Sequence, residues 1–255
     1  MQHTAESSTV LVTGGGSERG IGRATARRLA AAGRPVAIFD IDADGAARAA
    51  RAIADEYQVP ALGLGVDVTD AAAIHEAVSK IEAELPPVLA LANVAGTSSP
   101  TPFAELTLGE WDRVFATNTR SAFLVSQRVL PAMIEHRFGR IVTVSSISAQ
   151  RGGGTYSTVA YSAAKAALMG FTRALAREVG RSGITVNCVA PGPIDTDIMG
   201  GPLTDERKAA MSADTMVGRV GTVADVAGLI WFLLGPDSGF ITAATYDING
   251  GLQVS

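Results

Sequence analysis

The chain of 255 residues is 47% hydrophobic and 18% charged, with a net charge of −4. This balance can fill a sizeable core, in one large α/β domain or two small ones, but it leaves no basic field for a nucleic acid or an anionic membrane. Residues 1–9 lack the apolar core of a signal peptide, and no apolar run approaches the ~20 residues that span a bilayer. We therefore expect a cytoplasmic protein whose partner is a small molecule.

The residues that usually bind metals or form disulfides are few. Cys188 is the only cysteine and lies in an apolar run, so we expect a buried, unreactive thiol and no internal disulfide. The three histidines are scattered along the chain. Because they form no cluster with metal-ligand spacing, we expect no metal site.

The first predicted strand, residues 10–12, leads into a glycine-rich turn that contains Gly14, Gly20 and Gly22. A helix is predicted over residues 23–32. Glycines let a backbone approach a ligand closely, and the free amide groups at a helix N-terminus attract anions. Strand, turn and helix therefore predict a cradle for the pyrophosphate of a dinucleotide; the alternative is a purely structural turn.

The second predicted strand, residues 35–39, ends at Asp40, eighteen residues after Gly22. An acid about twenty residues beyond the turn is the expected partner of the adenosine ribose hydroxyls, and its charge repels a 2′-phosphate. Asp40 therefore favours NAD over NADP. The alternative is a plain surface aspartate at a strand end.

Strands and helices alternate along the rest of the chain. Thr69 or Asp70 can cap a helix that runs through Glu84. Further strands are predicted over residues 61–66, 88–93, 139–144, 184–189 and 244–248, and further helices over residues 42–57, 107–136 and 222–234. This alternation predicts a doubly wound parallel sheet with helices on both faces. We expect one domain over residues 1–255, with residues 1–8 as a disordered tail.

Tyr161 and Lys165 are four residues apart on a predicted helix, so they project from the same face. An ammonium beneath a phenol favours the ionised phenol, which otherwise titrates near pH ~10. The strand over residues 139–144 ends at Ser145 and Ser146, and the glycines at 152–154 could fold the chain back toward it. Hydroxyl, phenol and ammonium would then converge at one strand end. For the spacing alone, the alternative is an ordinary amphipathic helix with one surface tyrosine.

The glycine-rich turn, Ser146, Tyr161 and Lys165 together resemble the short-chain dehydrogenase/reductase family, and the resemblance extends over nearly the whole chain. It implies a single Rossmann-type domain and an NAD(P)-dependent oxidoreductase that acts on CH–OH groups. The sequence is similar both to 3-oxoacyl-ACP reductase-like members and to polyol and sugar dehydrogenases.

The resemblance assigns catalytic roles to four residues. Tyr161 would be the general acid/base, Lys165 would lower the pKa of its phenol, Ser146 would hold the substrate oxygen, and Asn118 would anchor a water-mediated proton path. The family's usual spacing of thirteen residues would choose Ser148 over Ser146. The serine pair at the strand end favours Ser146, followed by a loop two residues longer than average.

A second group of residues lies in the loop ahead of the catalytic helix. Tyr156 is a rival phenol, but Ala160 and not a lysine follows it at four residues. The residues expected near the substrate are Ser148, Gln150, Arg151 and Tyr156.

The resemblance also assigns a cofactor site, residue by residue. Two features depart from the family pattern: five residues, not three, separate Gly14 from Gly20, and Val94 replaces the second asparagine of an Asn-Asn-Ala-Gly motif. The implied cofactor-binding residues are Gly14, Ser17, Arg19, Gly20, Ile21, Gly22, Asp40, Ile41, Asp67, Val68, Asn93, Ala95, Gly96, Tyr161, Lys165, Pro191, Gly192, Ile194 and Thr196.

Arg19 complicates the choice of cofactor, because NADP-dependent relatives often carry an arginine at its position. Ile41 and not a basic residue follows Asp40, so we predict NAD as the cofactor and consider NADP the weaker alternative. We also expect a substrate lid over residues 197–217. The helices over residues 107–136 and around Tyr161 would form the interface of a homo-oligomer, a dimer or a tetramer.

The main functional prediction is NAD-linked interconversion of a secondary alcohol in a polyol, sugar or hydroxy acid with its ketone. One alternative is reduction of a 3-oxoacyl thioester of ACP or CoA. An alternative of another class is an NAD-binding sensor or scaffold without chemistry. Retention of both Tyr161 and Lys165 argues against the sensor.

Overall fold

A parallel sheet flanked by helices is formed by residues 7–154, 157–199 and 201–254, the part of the chain that the computed structural model describes. Its strands are β1 (Thr9–Thr13), β2 (Val36–Asp40), β3 (Ala61–Gly65), β4 (Val88–Asn93), β5 (Gly139–Val144), β6 (Ile184–Pro191) and β7 (Thr245–Ile248). They pair in parallel in the order β3-β2-β1-β4-β5-β6-β7. The predicted doubly wound sheet is confirmed.

Helices cover both faces of this sheet. They are α1 (Ile21–Ala30), α2 (Ala43–Tyr57), α3 (Ala71–Glu84), α4 (Leu108–Phe115), α5 (Ser121–Glu135), α6 (Ser148–Arg151), α7 (Val159–Val179), α8 (Asp205–Ala213) and α9 (Val223–Leu233). Alternate residues of a strand point to opposite faces. Val10 and Val12 accordingly pack with α1, α2 and α9, whereas Leu11 belongs to the core formed with α3, α5 and α7.

The strand order reverses direction at β1, which lies between β2 and β4. The crossovers on the two sides of this point diverge and leave a crevice at the carboxyl ends of the strands, which is where open α/β sheets bind ligands. The Thr13 hydroxyl ties the two strand ends together there, accepting hydrogen bonds from the amides of Val94 and Ala95, both at 3.0 Å.

The long helix predicted over residues 107–136 is interrupted. Between α4 and α5 the backbone forms a π-helical turn over Ala116–Arg120, which contains the buried Asn118. A π turn is rare and occurs mostly at functional sites. This turn holds the asparagine to which the resemblance assigns the proton path.

The sequence placed one boundary wrongly, the end of the N-terminal tail, and left another open, the residue that caps α3. The tail predicted over residues 1–8 does not include Ser8, whose fully buried hydroxyl accepts a hydrogen bond from Arg34 Nη2 at 3.0 Å. Of the two possible caps for α3, Asp70 is the one used, since its carboxylate accepts from the amides of Ala72 and Ala73.

Cys188 is fully buried in β6, as the sequence predicted. Among the described residues, no group of three or more His, Cys, Asp or Glu side chains is placed to hold a metal ion. The helices of these same ranges are all too short or too polar to cross a membrane.

Candidate active site

The glycine-rich turn packs so tightly against its surroundings that side chains would not fit. Gly14 has φ +71°, and a Cβ there would lie 2.9 Å from the Cα of Ala95. A Cβ at Gly22 would overlap the carbonyl oxygen of Gly14. Helix α1 begins directly after Gly20 without a side-chain cap, so its first amide groups are available to an anion.

The lengthened part of the turn folds onto the end of β2. The Gly16 amide donates a hydrogen bond to Asp40 Oδ2 at 2.7 Å, and the Asp42 amide donates to Asp40 Oδ1 at 3.0 Å. These two bonds fix the half-buried carboxylate of Asp40 beside the turn.

Three adjoining cavities form a groove along the carboxyl ends of the strands. The outer cavity, of about 630 Å³, is lined by seven predicted cofactor residues: Gly14, Asp40, Ile41, Asp67, Val68, Ala95 and Gly96. The turn cavity, of about 290 Å³, adds Ser17, Gly20, Ile21, Gly22 and Thr196. The inner cavity, of about 140 Å³, adds Ser146, Tyr161, Lys165, Pro191, Gly192 and Ile194. Gly96 lines all three, so the groove is continuous.

The residues that line this groove fit a dinucleotide. The turn cavity combines close-packed glycines with uncapped amides, which suits a pyrophosphate. The outer cavity has apolar walls and the carboxylate of Asp40 at one side, which suits an adenosine. Thr69, Thr97, Arg113 and Thr117 also line the outer cavity, and nothing in the sequence patterns had indicated them.

Two predicted cofactor residues lie outside these cavities. Asn93 donates a hydrogen bond from Nδ2 to the Ser126 hydroxyl at 3.1 Å, which ties the end of β4 to α5. Arg19 turns instead to the segment after β6, where it pairs with Asp195 at 2.6 Å and with Asp197 at 3.0 Å.

Three predicted catalytic side chains meet in the inner cavity. Ser146 follows β5, while Tyr161 and Lys165 stand on the first turns of α7. The Ser146 hydroxyl and the Tyr161 phenol line this cavity together, and the hydroxyl is near enough to lower the pKa of the phenol. Lys165 lies beneath the phenol ring, with Nζ 5.7 Å from the ring centroid, and donates a hydrogen bond to the Val144 carbonyl at 2.8 Å.

Burial dominates the electrostatics of the pair. It raises the pKa of the Tyr161 phenol, and the nearby Ser146 hydroxyl opposes this only in part. Burial also lowers the pKa of the Lys165 ammonium to about 8, partly opposed by the nearby thiol of Cys188. The spacing of the pair had predicted a lowered phenol pKa. In the fold, the desolvation of the buried phenol outweighs the effects that favour its ionised form.

Asn118 and Lys165 both lie beside Gly96. Its Nδ2 donates to the carbonyls of Thr97 at 3.0 Å and Val114 at 2.9 Å. A Cβ added at Gly96 would lie 2.7 Å from Asn118 Oδ1 and 3.2 Å from Lys165 Nζ. Only a glycine here leaves room between the amide and the ammonium.

The residues expected near the substrate divide into three groups. Ser148 and Arg151 line, together with Ser146, a further cavity of about 340 Å³ that α8 closes on one side; we call it the α8 cavity. Gln150 is not at this cavity, contrary to expectation, because its Nε2 donates to Asp247 on β7 at 2.8 Å. Tyr156 lies outside the described residues.

The two candidate serines have different partners. The Ser148 hydroxyl hydrogen-bonds to the Ser157 hydroxyl at 2.7 Å, and its amide donates to Ser146 Oγ at 3.1 Å. Ser146 alone of the two lines the inner cavity with the phenol. The geometry therefore favours Ser146 over Ser148 as the partner of the substrate oxygen.

A Rossmann-type sheet with a dinucleotide groove and a Ser-Tyr-Lys group at its inner end defines a nicotinamide-dependent oxidoreductase. A family model described as "Enoyl-(Acyl carrier protein) reductase" matches residues 14–253. The chain belongs to the short-chain dehydrogenase/reductase family, as the resemblance implied.

Several relatives match almost the full length of the chain. The 3-oxoacyl-[acyl-carrier-protein] reductase FabG of Escherichia coli K12 is 40% identical over 98% of both chains. An uncharacterized short-chain type dehydrogenase/reductase of Sinorhizobium fredii is 39% identical over 96% of this chain and 97% of its own. Among solved structures, a blue fluorescent protein from a metagenomic library in complex with NADPH superposes with a TM-score of 0.88, at 35% identity over 99% of this chain and 100% of its own.

Proposed function

We propose that this protein interconverts a 3-oxoacyl thioester and the corresponding 3-hydroxyacyl thioester, with NAD(H) as its preferred cofactor. The observation that carries the redox chemistry is the meeting of Ser146, Tyr161 and Lys165 at the inner end of the groove. The thioester is supported by relatives named as 3-oxoacyl-ACP reductases, which match nearly the whole chain at 38 to 40% identity.

The nicotinamide, when bound, supplies or accepts the hydride. In reduction the Tyr161 phenol donates a proton to the substrate oxygen, and in oxidation the phenolate removes it. The Ser146 hydroxyl, which lines the same cavity as the phenol, donates a hydrogen bond to the same substrate oxygen. The two groups together hold that oxygen beside the proton that it gains or loses.

Lys165 and Asn118 would renew the proton. An ammonium whose pKa is lowered to about 8 can give up and regain a proton near neutral pH, which suits a relay. Asn118, which like Lys165 lies beside Gly96, would hold a water on the path to solvent.

The preference for NAD rests on Asp40. Its carboxylate is fixed by two backbone amides beside the outer cavity, where it can accept hydrogen bonds from both ribose hydroxyls and would repel a 2′-phosphate. The NADPH complex of the metagenomic relative makes the comparison of the two cofactors a direct test. We expect a much higher kcat/KM with NAD(H) than with NADP(H), and equal or reversed values would contradict this part of the proposal.

A second candidate is NAD-linked oxidation of a polyol, sugar or hydroxy acid. The α8 cavity favours it, because Ser148, Ser157 and the exposed Arg151 line that cavity and could bind hydroxyl or carboxylate groups.

A hydride-transfer assay separates the candidates. It would use 3-oxoacyl and 3-hydroxyacyl thioesters of ACP and CoA, and a panel of sugars, polyols and hydroxy acids, each with NAD(H) and NADP(H). The highest kcat/KM on a thioester would support the proposal. Turnover only on a sugar, polyol or hydroxy acid would replace the substrate but keep the chemistry. Failure of Tyr161→Phe to remove turnover would overturn the chemistry itself.

We also propose that residues 197–217 form a lid, since Ala210, Met211 and Asp214 of this segment line the α8 cavity.

We propose a single domain and a homo-oligomer, either a dimer or a tetramer. On α5, Phe123 is 45% exposed, whereas Ala122, Val125 and Val129 are buried in the subunit's own core. A monomer in a light-scattering measurement would contradict the oligomer. The cytoplasmic location stays a prediction.

A further inference from the structure

An ionic contact joins two distant parts of the chain at the edge of the groove. Arg19 Nη2 pairs with Asp195 Oδ1 at 2.6 Å, and Arg19 Nε pairs with Asp197 Oδ1 at 3.0 Å. The Ser17 hydroxyl donates to Asp197 Oδ2 at 3.3 Å. We call Ser17, Arg19, Asp195 and Asp197 the rim clasp. It connects the glycine-rich turn to the segment after β6.

The rim clasp borders the space that we assign to the cofactor. Ser17 and Asp197 both line the turn cavity, and Asp40 lines it as well. The Gly16 amide bonds to Asp40, so Arg19 stands only three residues from the contact that fixes the ribose-binding carboxylate. The family resemblance implies that an arginine at this position can meet a 2′-phosphate on that ribose.

The two carboxylates already occupy the face of Arg19 that a phosphate would use. A guanidinium binds a carboxylate or a phosphate through the same fork of N–H donors. Arg19 gives Nε to Asp197 and Nη2 to Asp195. Asp195 is itself held as a carboxylate, because hydrogen bonds from Lys208 and the Leu203 amide keep its pKa below the usual value.

We propose that Asp195 and Asp197 determine cofactor specificity by holding Arg19 away from the adenosine ribose, so that this arginine cannot neutralise a 2′-phosphate. The inference deepens the proposed function and rests on its preference for NAD. NADP would meet the charge of Asp40 without the help of Arg19, whereas NAD needs no cation at that ribose. Specificity would thus depend on two acids in the segment that follows β6, in addition to the acid at the end of β2.

The test measures dissociation constants of NADPH and NADH from the change in cofactor fluorescence, which needs no substrate. Asp197→Asn is the cleaner variant, because Asp195 has additional bonds to Lys208 and Leu203. We expect Asp197→Asn to tighten NADPH binding by about twofold to fivefold, the range for one exposed ion pair, and to change NADH binding less than about twofold. Asp195→Asn is the second variant, with the same expected direction.

Two controls separate the clasp from a general change of charge. Asp205→Asn removes the same charge at the start of α8, where Asp205 is exposed, and should leave the ratio of the two constants unchanged. Asp197→Asn in an Arg19→Gln background should also leave that ratio unchanged, because the arginine that it would free is gone. An unchanged ratio in the single variant, an equal shift without Arg19, or an equal shift in Asp205→Asn would each overturn the inference.

The dissociation constants of the wild-type protein for NADPH and NADH test the proposed preference for NAD by themselves. If it binds NADPH more tightly than NADH, the proposed preference for NAD fails. Whether the effect of Asp197 depends on Arg19 is a different quantity, since it compares variants with each other. The two failures can therefore be distinguished.

Discussion

The inner end of the groove and its rim are held together by different forces. At the inner end, Lys165 is 3% exposed and is fixed by the Val144 carbonyl, and the buried Ser146 lines the same cavity as Tyr161. In the rim clasp, the side chains of Arg19 and Asp197 are 42% and 39% exposed. Exposed ion pairs are individually weak and are screened by salt, whereas buried contacts are not.

This difference in burial assigns acid-base chemistry to the inner end of the groove and cofactor choice to its rim. Groups fixed by packing stay in place while a proton moves, which is what acid-base catalysis requires. Ion pairs at a solvent-exposed edge can open, admit a nucleotide and close again. We therefore expect changes at the inner end to alter turnover with little effect on cofactor affinity, and changes at the rim to do the reverse.

The largest effect is expected from Tyr161→Phe. This variant removes the proton donor and acceptor, so kcat should fall by about 10³-fold, while the Kd for NADH should change by less than about twofold because the ring remains. Tyr57→Phe, at the end of α2, is the matched control and should retain turnover. A loss of NADH binding in Tyr161→Phe as large as the loss of turnover would break the comparison.

The two serines provide the next test. Ser146→Ala should lower kcat by about 10²-fold, because it removes the hydroxyl that lines the inner cavity beside Tyr161 and so a donor to the substrate oxygen. Ser148→Ala should lower kcat by less than about tenfold, since its hydroxyl is bonded to Ser157. Steady-state measurement of kcat for both variants shows which serine contributes more to turnover. The opposite order would assign the catalytic role to Ser148.

A smaller effect on turnover is expected from Gly96→Ala. The added methyl group would press on Asn118 Oδ1 and Lys165 Nζ, and displacement of the ammonium should lower kcat by about tenfold or more. Gly109→Ala is the matched control, because a Cβ at Gly109 meets no atom within 4 Å. Near-normal kcat in Gly96→Ala would show that the relay tolerates a wider gap.

The last prediction concerns the dependence of stability on pH, and not turnover. The pKa of Lys165 is lowered in the fold to about 8 from 10.5, so between these pH values the unfolded chain binds more protons at this site than the folded chain. The free energy of unfolding of the wild type, relative to Lys165→Met, should therefore rise with pH in this window, by at most about 1.4 kcal/mol per pH unit. Denaturant titrations of both proteins at pH 7, 8, 9 and 10 measure it. If the difference in the free energy of unfolding between the wild type and Lys165→Met stays constant or falls as the pH rises, the lowered pKa of Lys165 is contradicted.

Local spacing allowed the catalytic end to be predicted from sequence. Tyr161 and Lys165 share one helix face, and Ser146 ends a strand whose apolar run marked it as buried. Counting residues favoured Ser148, because a count carries no information on how α6 folds back and pairs Ser148 with Ser157. Spacing alone could not give the effect of burial, which raises the pKa of Tyr161, because burial is a property of the whole fold.

Long-range contacts were out of reach of the sequence patterns. Arg19 and its partners in the rim clasp are 176 and 178 residues apart, and nothing local marks them as a pair. Gln150 was placed near the substrate by its position in the loop, yet its partner Asp247 is 97 residues away on β7. Periodicity in the sequence predicts which face of a helix or strand a side chain lies on. The order of the strands in the sheet then determines which residues it contacts.

The reversal of strand order at β1 gives the molecule a modular layout. The first three strands supply Asp40, Asp67 and the glycine-rich turn to the adenosine side, the residues after β4 complete its wall, and the catalytic side chains follow from β5 onward. Exchange of the N-terminal part between relatives is therefore one route to exchanging cofactors. The contact of Arg19 with Asp195 and Asp197 joins the N-terminal part of the chain to the segment after β6. A successful chimera would have to transplant residues 195–197 together with the glycine-rich turn.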